Sequence, residues 1–216
     1  MKQQTLTGEK QDDYMRYVSV YTTDQEILKA INYIYLDGLG FSLDPTYSKG
    51  NIYSMYLKPD LRSDINPLSN DVKKCDCRKL WLKDSSIISI VFDPPFLFRN
   101  SKAVNKDKMC NRFSYFKTFE ELLQMYRDSL KEFHRVLQDY GILIFKCQDM
   151  TDGSGTRPFY DTHCKVIEMA RKIGFSLRDI AILVKKNKII RKAKQQGCFR
   201  KIHSYYLVFR KEVRVK

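Results

Sequence analysis

The sequence has 216 residues, of which 43% are hydrophobic, and its 39 Lys and Arg exceed its 25 Asp and Glu to give a net charge of +14. This hydrophobic content argues against a disordered chain and suffices for one α/β domain with a full core. We expect no signal peptide and no membrane segment, since no apolar run reaches roughly 18 residues. The basic excess indicates a polyanionic partner, usually DNA or RNA.

The six cysteines show no pattern of metal ligands or disulfides. Their spacing is irregular, and no Cys-x-x-Cys pair or histidine cluster completes a zinc site, although Cys75 and Cys77 would share one side of a predicted strand. We therefore expect no metal, reduced thiols and a cytoplasmic protein. The cysteines are Cys75, Cys77, Cys110, Cys147, Cys164 and Cys198.

The chain begins with a polar stretch, and we expect a flexible segment at 1–16 followed by a single domain at 17–216. Residues 17–21 predict a short strand. Thr23 and its neighbours then offer a helix cap, and apolar residues recur at helical spacing as far as Gly38. The pattern predicts a helix over 24–37 that ends at glycine.

Acidic residues end or follow the next predicted strands. Asp44 follows a short strand, Asp64 ends a strand that starts at Leu61, and Asp76 lies in a third strand over 72–80. Parallel strands that each deliver an acid to one edge are typical of doubly wound α/β folds, which bind their ligands there.

The fourth predicted strand carries the most informative stretch of the chain. Residues 86–92 form an apolar, β-branched run typical of a buried parallel strand, and Asp93-Pro94-Pro95-Phe96 follows it. Two consecutive prolines cannot continue a strand or a helix, so the chain must turn rigidly there. We expect Asp93 at the carboxyl end of the strand, beside fixed backbone carbonyls and the ring of Phe96.

Two stretches combine the features of a nucleic-acid contact. The long loop 97–117 interleaves basic and aromatic residues, which suits phosphate contacts and base stacking. Residues 185–201 hold eight Lys or Arg and no acid, between predicted strands at 175–184 and 204–209. The candidate nucleic-acid-binding residues are Arg99, Lys102, Lys106, Arg112, Lys185, Lys186, Lys188, Arg191, Lys192, Lys194, Arg200 and Lys201.

The intervening sequence predicts a helix over 118–137, a buried strand over 141–149, a mobile loop over 150–160 and a helix over 161–173. Thr118 and Glu121 have the spacing of a capping box at the start of the first of these helices. Lys146, Gln148 and Asp149 fall near the carboxyl end of the buried strand, and they are candidates to face an active cleft.

Asp93-Pro94-Pro95-Phe96 resembles the Asp-Pro-Pro-Tyr/Phe/Trp motif of S-adenosylmethionine-dependent amino-methyltransferases, which methylate the exocyclic amine of adenine or cytosine in nucleic acid. The resemblance implies that the Asp93 carboxylate and the Pro94 carbonyl accept the two N–H bonds of the amine. It also implies that Phe96 stacks on a base flipped out of the helix. The implied catalytic residues are Asp93, Pro94, Pro95 and Phe96.

The loop after Asp44 is similar to the first cofactor motif of the same enzymes, Asp-Pro-Phe-x-Gly-x-Gly. Asp44, Pro45 and Gly50 match this motif, whereas the four residues between Pro45 and Gly50 depart from it. Small site-specific DNA methyltransferases common in mobile elements carry a similar Thr-Tyr-Ser-Lys-Gly stretch. The implied S-adenosylmethionine-binding residues are Asp44, Pro45, Thr46, Tyr47, Ser48, Lys49, Gly50, Asp64, Asp76 and Cys77.

Three of these side chains have an implied partner on the cofactor. The ammonium of Lys49 suits the methionine carboxylate. Asp64 suits the ribose hydroxyls, as an acid at the end of the second strand does in Rossmann-like folds. The resemblance assigns Asp76 to the amino group of the cofactor's adenine.

The resemblance implies a single Rossmann-like methyltransferase domain of the α/β class, with a mostly parallel seven-stranded sheet and an antiparallel edge hairpin. The implied activity is methyl transfer to adenine N6 in DNA, because aspartate in the first motif position favours adenine. Cytosine N4 in DNA and adenine N6 in RNA stay open. So does an inactive nucleic-acid-binding partner subunit, since the glycine loop is degenerate. With no recognition domain in sight, specificity would depend on a dimer or a partner subunit.

Overall fold

The computed structural model of the chain describes residues 17–98, 116–151, 158–185, 198–199 and 201–213. The strands are β1 (Val20–Tyr21), β2 (Leu43–Asp44), β3 (Leu61–Asp64), β4 (Lys73–Lys74), β5 (Ile87–Phe92), β6 (Leu137–Cys147), β7 (Met150–Thr151), β8 (Phe159–Tyr160), β9 (Phe175–Val184) and β10 (His203–Lys211). The helices are α1 (Asp24–Leu36), α2 (Phe119–Val136) and α3 (Thr162–Ile173). The predicted flexible segment at 1–16 lies outside the described residues.

Eight of these strands form one sheet in the order β1-β9-β10-β6-β5-β2-β3-β4. Neighbouring strands from β6 to β4 pair in parallel, and β10 runs antiparallel to both β6 and β9. The predicted α/β class, with a mostly parallel sheet and an antiparallel hairpin, is confirmed. The predicted strand count of seven is wrong, because β1 pairs in parallel with β9 and so covers the edge where the hairpin was expected.

The helix boundaries follow from the caps that the sequence supplies. The Thr23 hydroxyl accepts a hydrogen bond from the backbone N–H of Glu26, and the Thr118 hydroxyl accepts one from Glu121. Gly174, with φ +121, ends α3 and donates its N–H to the last turn. All three helices therefore lie within a residue or so of their predicted ranges.

The third predicted strand is the largest error in the sequence reading. The strand pairs with β3 at Lys73 and Lys74, and the N–H of Cys75 makes the last hydrogen bond to it, at the Asp64 carbonyl. The chain then turns at Asp76, whose carbonyl accepts the N–H of Lys79. Cys75 and Cys77 therefore do not share one side of a strand. The physical reason is the position of β4 at the sheet edge, where both residues are exposed and a longer strand would gain no second neighbour.

The core covers both faces of the sheet, so a site can form at the ends of its strands. On one face, Phe92 of β5 packs with Phe133 of α2 and Phe145 of β6. On the other face, α1 packs its apolar side against Val91 and Ile144. Because β2, β3, β4, β5 and β6 are parallel, their carboxyl ends meet at the same edge of the sheet.

Two sequence expectations concern groups elsewhere in the chain. Across the described residues, no helix combines the length and the apolar character needed to cross a membrane. The five cysteines within the described ranges are free thiols, and in those ranges no three His, Cys, Asp or Glu side chains gather as they would around a metal ion.

Candidate active site

A cavity of about 460 Å³ opens at the carboxyl edge of the sheet. This volume lies in the range of small-molecule sites. All ten residues that the sequence assigned to a cofactor line the cavity, together with Asp93 and Pro95 of the implied catalytic group. Pro94 is buried and Phe96 is half-buried, and neither belongs to the lining. The other lining residues are Asn51, Ile52, Ile65, Asn66, Leu68, Arg78, Phe116 and Met125.

Asp44 ties together the loop that forms the floor of this cavity. Its Oδ1 accepts the backbone N–H of Thr46 at 2.7 Å and the Thr46 hydroxyl at 3.1 Å, and its Oδ2 accepts the Tyr53 hydroxyl at 2.7 Å. The side chain is only 1% exposed. Burial raises the pKa of Asp44 to about 7, and the hydrogen bonds from Tyr53 and Thr46 offset that effect only in part. Asp44 is thus a buried structural acid with an unusual affinity for its proton.

The loop from Asp44 to Gly50 keeps a glycine-like backbone in spite of its departures from the motif. Ser48 stands where the motif has its first glycine, and it adopts the left-handed φ of 49°. Its N–H donates to Oδ2 of Asp64 at 2.9 Å, which fixes this conformation. Gly50 also has a positive φ, and the ring of Tyr47 lies against it. The sequence predicts a degenerate loop because a glycine is missing at this position, yet Ser48 adopts the positive φ that a glycine would allow.

Two further acids border the cavity after β3 and β4. Asp64 accepts backbone N–H groups from Ser48 and from Asn66, the latter at 2.8 Å, which braces the carboxylate. Asp76 forms a close pair with the Arg78 guanidinium, whose hydrogen bonds hold the pKa of Asp76 below its usual value. Burial raises the pKa of the neighbouring Cys77 to about 11, so this thiol stays neutral. The carboxylates of Asp64 and Asp76 therefore border the cavity with fixed partners, and the Cys77 thiol beside them carries no charge.

The turn that begins at Asp93 is held from two sides. The N–H of Asp93 donates to the Thr46 hydroxyl at 3.1 Å, which joins it to the cavity loop. The carbonyl of Pro95 accepts the hydroxyl of Tyr126, a fully buried residue of α2, at 2.9 Å. Sequence reasoning missed both Thr46 in this role and Tyr126. No local pattern reveals contacts across 47 and 31 residues.

The buried side chain of Lys146 contacts Asp93 from the interior of the sheet. Its Nζ is 3.0 Å from Oδ2 of Asp93 and 2.8 Å from Oδ1 of Asp24, the first residue of α1. Burial acts to lower the pKa of Lys146, but the charges of the two carboxylates outweigh it and raise that pKa above its usual value. The Tyr206 hydroxyl also donates to Asp24, at 2.5 Å. The sequence named Lys146 as a cleft residue but gave no reason to connect it with Asp24.

The other two predicted cleft residues, Gln148 and Asp149, form hydrogen bonds to other parts of the chain. Gln148 donates its amide N–H to the carbonyl of His203 at 2.5 Å, so it fastens β6 to the start of β10. Asp149 accepts hydrogen bonds from the His163 backbone and ring and from the Tyr205 hydroxyl, and it is buried. These contacts join α3 to β10, and neither residue lines the described cavity.

A basic and aromatic rim lies at the same edge of the sheet as Asp93. The strand β9 ends and its antiparallel neighbour β10 begins there. The ammonium of Lys201 lies 4.9 Å above the ring of Phe159 and donates to the Phe199 carbonyl. The rings of Phe159 and Phe199 are 56% and 87% exposed. Sequence reasoning missed both rings.

Of the predicted nucleic-acid-binding residues, Lys185 and Lys201 are described, and Lys185 pairs by its backbone with Ile202. The other ten predicted residues lie outside the described residues. They are Arg99, Lys102, Lys106, Arg112, Lys186, Lys188, Arg191, Lys192, Lys194 and Arg200.

Several solved structures are similar to the chain in fold. A Listeria monocytogenes protein described as an S-adenosylmethionine-dependent methyltransferase is 11% identical, with 87% of this chain and 96% of that chain covered and a TM-score of 0.50. A Thermus thermophilus DNA modification methylase, complexed with S-adenosyl-L-methionine, is 18% identical. The match covers 65% of this chain and 55% of that chain, with a TM-score of 0.49. The chain spans little more than half the length of the T. thermophilus structures that it matches.

Sequence comparison gives a more specific result. No curated protein matches the chain. The model of one family, described as DNA methylase and labelled for the N6 and N4 methyltransferases, matches residues 87–215, which is more than half of the chain. The match begins at β5 and includes Asp93-Pro94-Pro95-Phe96. The chain belongs to this N6/N4 DNA methylase family.

Proposed function

We propose that the chain transfers a methyl group from S-adenosylmethionine to the N6 amine of adenine in DNA, after the base has been flipped out of the helix. One observation carries the proposal. Asp93 borders the cavity that all ten predicted cofactor residues line, so the carboxylate that accepts the amine and the cofactor site would share one space. Membership of the N6/N4 DNA methylase family supports the reaction class and leaves the choice between adenine and cytosine to experiment.

The residues that line the cavity suit S-adenosylmethionine. Asp64 and Asp76 offer carboxylates to the ribose hydroxyls and to the adenine amine, and Lys49 offers an ammonium to the methionine carboxylate. The loop has a left-handed backbone at Ser48 and Gly50, a conformation that would let its peptide groups approach the cofactor closely. When bound, the cofactor supplies a methyl group activated by the positive sulfonium to which it is attached.

The catalytic residues of the chain would act on the target amine. The Asp93 carboxylate and the Pro94 carbonyl accept its two N–H bonds and turn the nitrogen lone pair toward the methyl group, while Phe96 stacks on the base. With S-adenosylmethionine bound, the amine nitrogen would form its bond to the methyl carbon as the bond from that carbon to sulfur breaks. The proton that the amine then loses would pass to solvent, which leaves the methylated base and S-adenosylhomocysteine as products. Orientation and exclusion of water are the contribution of the protein.

The DNA would be held at the rim formed by Lys201, Phe159 and Phe199, which opens on the same side as Asp93. Ammonium groups bind phosphates and exposed rings stack on unpaired bases. We further propose that residues 17–216 form the catalytic domain and that sequence specificity depends on a second copy or a partner subunit. The mass of the protein in solution, alone and with DNA, tests this second point.

The test of the proposed function is incubation with isotope-labelled S-adenosylmethionine and either unmodified DNA or RNA, followed by mass spectrometry of the nucleosides. Label in N6-methyladenine from DNA, lost in Asp93→Ala, is the expected result. Label in N4-methylcytosine would correct the base, and label only in RNA would correct the substrate. No label, together with no binding of S-adenosylmethionine, would favour an inactive nucleic-acid-binding subunit.

A further inference from the structure

Two carboxylates and one buried ammonium form a row behind the amine-binding motif. Lys146, near the end of β6, reaches Asp93 at the end of β5 on one side and Asp24 at the start of α1 on the other. Lys146 is only 4% exposed, whereas the side chains of Asp24 and Asp93 are partly accessible. This row of Asp24, Lys146 and Asp93 therefore connects a buried ammonium to a carboxylate at the cavity, although the three residues are far apart in the sequence.

The partners of Lys146 explain how its charge is tolerated in the core. An ammonium without counter-charges is very costly to bury, so both carboxylates are needed to stabilise it. The ring of Tyr206 lies 5.4 Å from Nζ, and its hydroxyl donates to Asp24. Burial acts to raise the pKa of Asp24, but the charge and hydrogen bond of Lys146 outweigh it and lower that pKa. The three groups together then carry one negative charge.

The two carboxylate oxygens of Asp93 have different surroundings. Within the described residues, Oδ2 receives the hydrogen bond of Lys146 and Oδ1 receives none. The N–H of Asp93 is fixed separately by the Thr46 hydroxyl. A carboxylate held by its backbone and by one oxygen has little rotational freedom, and the other oxygen is left to accept a hydrogen bond from a substrate.

We propose that Lys146 is a positioning residue for methyl transfer. It holds Oδ2 of Asp93 so that Oδ1 is presented to the target amine, and Asp24 neutralises Lys146 so that Asp93 keeps its negative charge for the reaction. This inference rests on the proposed function and deepens it. It also assigns a role at the active site to the first residue of α1.

The charge balance matters because the amine nitrogen becomes positive as its bond to the methyl group forms. A net negative charge beside it stabilises that state, and fixed charges act strongly in a site from which water is excluded. Lys146 alone would cancel the charge of Asp93. With Asp24 in place, the ammonium orients Asp93 without removing the charge that the reaction needs.

The test uses the full chain with Lys146→Met, Asp24→Asn and the double variant, and it measures kcat, KM, the Kd of S-adenosylmethionine and the melting temperature. Lys146→Met is expected to lower kcat about 10- to 100-fold, the usual cost of misplacing a reacting group. The Kd of S-adenosylmethionine should not change. Asp24→Asn is also expected to lower kcat. The double variant should lose less than the product of the single losses, because it restores the net charge.

Lys211→Met is the matched control. Lys211 is the other described lysine of the sheet that is buried, and it donates to the carbonyl of Leu137 at the opposite edge, away from the cavity. Its loss should lower the melting temperature and leave kcat unchanged. A Lys146→Met protein that also keeps the wild-type kcat would overturn the inference, as would single losses that simply multiply in the double variant.

A crystal structure of Lys146→Met and of the wild type tests the positioning without any activity. The Asp93 carboxylate should turn away from its wild-type orientation in the variant, and an unchanged carboxylate overturns the inference. The proposed function fails separately, if the wild type forms no methylated nucleoside, and the inference then falls with it. An active wild type with an unimpaired Lys146→Met overturns the inference alone.

Discussion

The ring of Tyr47 lies directly over Gly50, so that a Cβ atom at residue 50 would be 2.3 Å from Cζ of Tyr47. The ring cannot easily give way, because Tyr47 is buried and stacks on Tyr53 with the ring centroids 5.8 Å apart. Gly50 also has a φ of +65°, which side chains disfavour. This pair of residues therefore sets the shape of the cavity loop.

Gly50→Ala should both destabilise the protein and weaken S-adenosylmethionine binding. Gly38→Ala is the control, since Gly38 has a φ of +78° but nothing within 4 Å of the added Cβ. Gly38→Ala should cost about 1–2 kcal/mol in free energy of unfolding from the left-handed backbone alone. Gly50→Ala should cost more and raise the Kd by tenfold or so, which is about 1.4 kcal/mol. Equal effects of the two changes on both quantities would contradict the role of Tyr47.

Asp44 should make the stability of the protein depend on pH. Its folded-state pKa of about 7 lies above the usual value of 3.8 for an unfolded chain. Between these values the folded state binds the extra proton, so stability falls as pH rises from about 4 to about 7, by at most roughly 1.4 kcal/mol per pH unit. Below and above this window the contribution of Asp44 is constant.

Asp44→Asn removes this titration while keeping the shape of the side chain. The free energy of unfolding, measured by urea denaturation at a series of pH values, should therefore fall more steeply between pH 4 and 7 in the wild type than in Asp44→Asn. The comparison between the two proteins cancels the titration of the other groups. Parallel curves would show that the hydrogen bonds from Thr46 and Tyr53 keep Asp44 ionised.

The sequence predicts local features of the site well, because caps, prolines and apolar runs act within a few residues. The helix caps at Thr23 and Thr118 and the strand Phe175–Val184 agree with the structure. The sequence does not predict contacts that the fold creates between distant segments. The Asp24–Lys146 pair and the Tyr126–Pro95 hydrogen bond leave no trace in local spacing, since each joins separate elements.

The backbone of Ser48 shows a different limit. A motif reading looks for glycine where φ is positive, yet Ser48 adopts a φ of 49° with its N–H bound to Asp64. A polar residue tolerates this conformation at a modest cost when a tertiary hydrogen bond fixes it. The predicted length of the edge strand β4 is too great for a related reason. The number of neighbouring strands limits how long an edge strand becomes, and its own residues do not show that number.

Tyr126→Phe should slow methyl transfer without weakening cofactor binding. The change removes the hydroxyl that donates to the Pro95 carbonyl and leaves the ring packed against Phe145. Because Pro95 is only partly buried, losing this hydrogen bond should cost about 0.5–1.5 kcal/mol. The turn at Asp93 should then be held less firmly, so kcat should fall several-fold while the Kd of S-adenosylmethionine stays the same.

Tyr35→Phe is the control for the loss of a tyrosine hydroxyl, because Tyr35 donates to Asp179 away from the cavity. It should leave kcat unchanged. Equal kcat values for Tyr126→Phe and Tyr35→Phe would show that Tyr126 does not position the turn.

Lys201→Gln should weaken DNA binding in a way that depends on salt. Lys201 lies over the exposed ring of Phe159 at the edge of the sheet that carries Asp93, so its ammonium is placed to contact a phosphate. Losing one phosphate contact should reduce the slope of log K against log salt concentration by about 1. Phe159→Ala should instead lower the affinity and leave the slope unchanged, because stacking releases no counterions.

Lys172, exposed in the last turn of α3 at the opposite edge, provides the matched control. If Lys172→Gln changes the slope as much as Lys201→Gln does, DNA affinity depends only on the net charge of the protein. The rim is then not the DNA-binding surface.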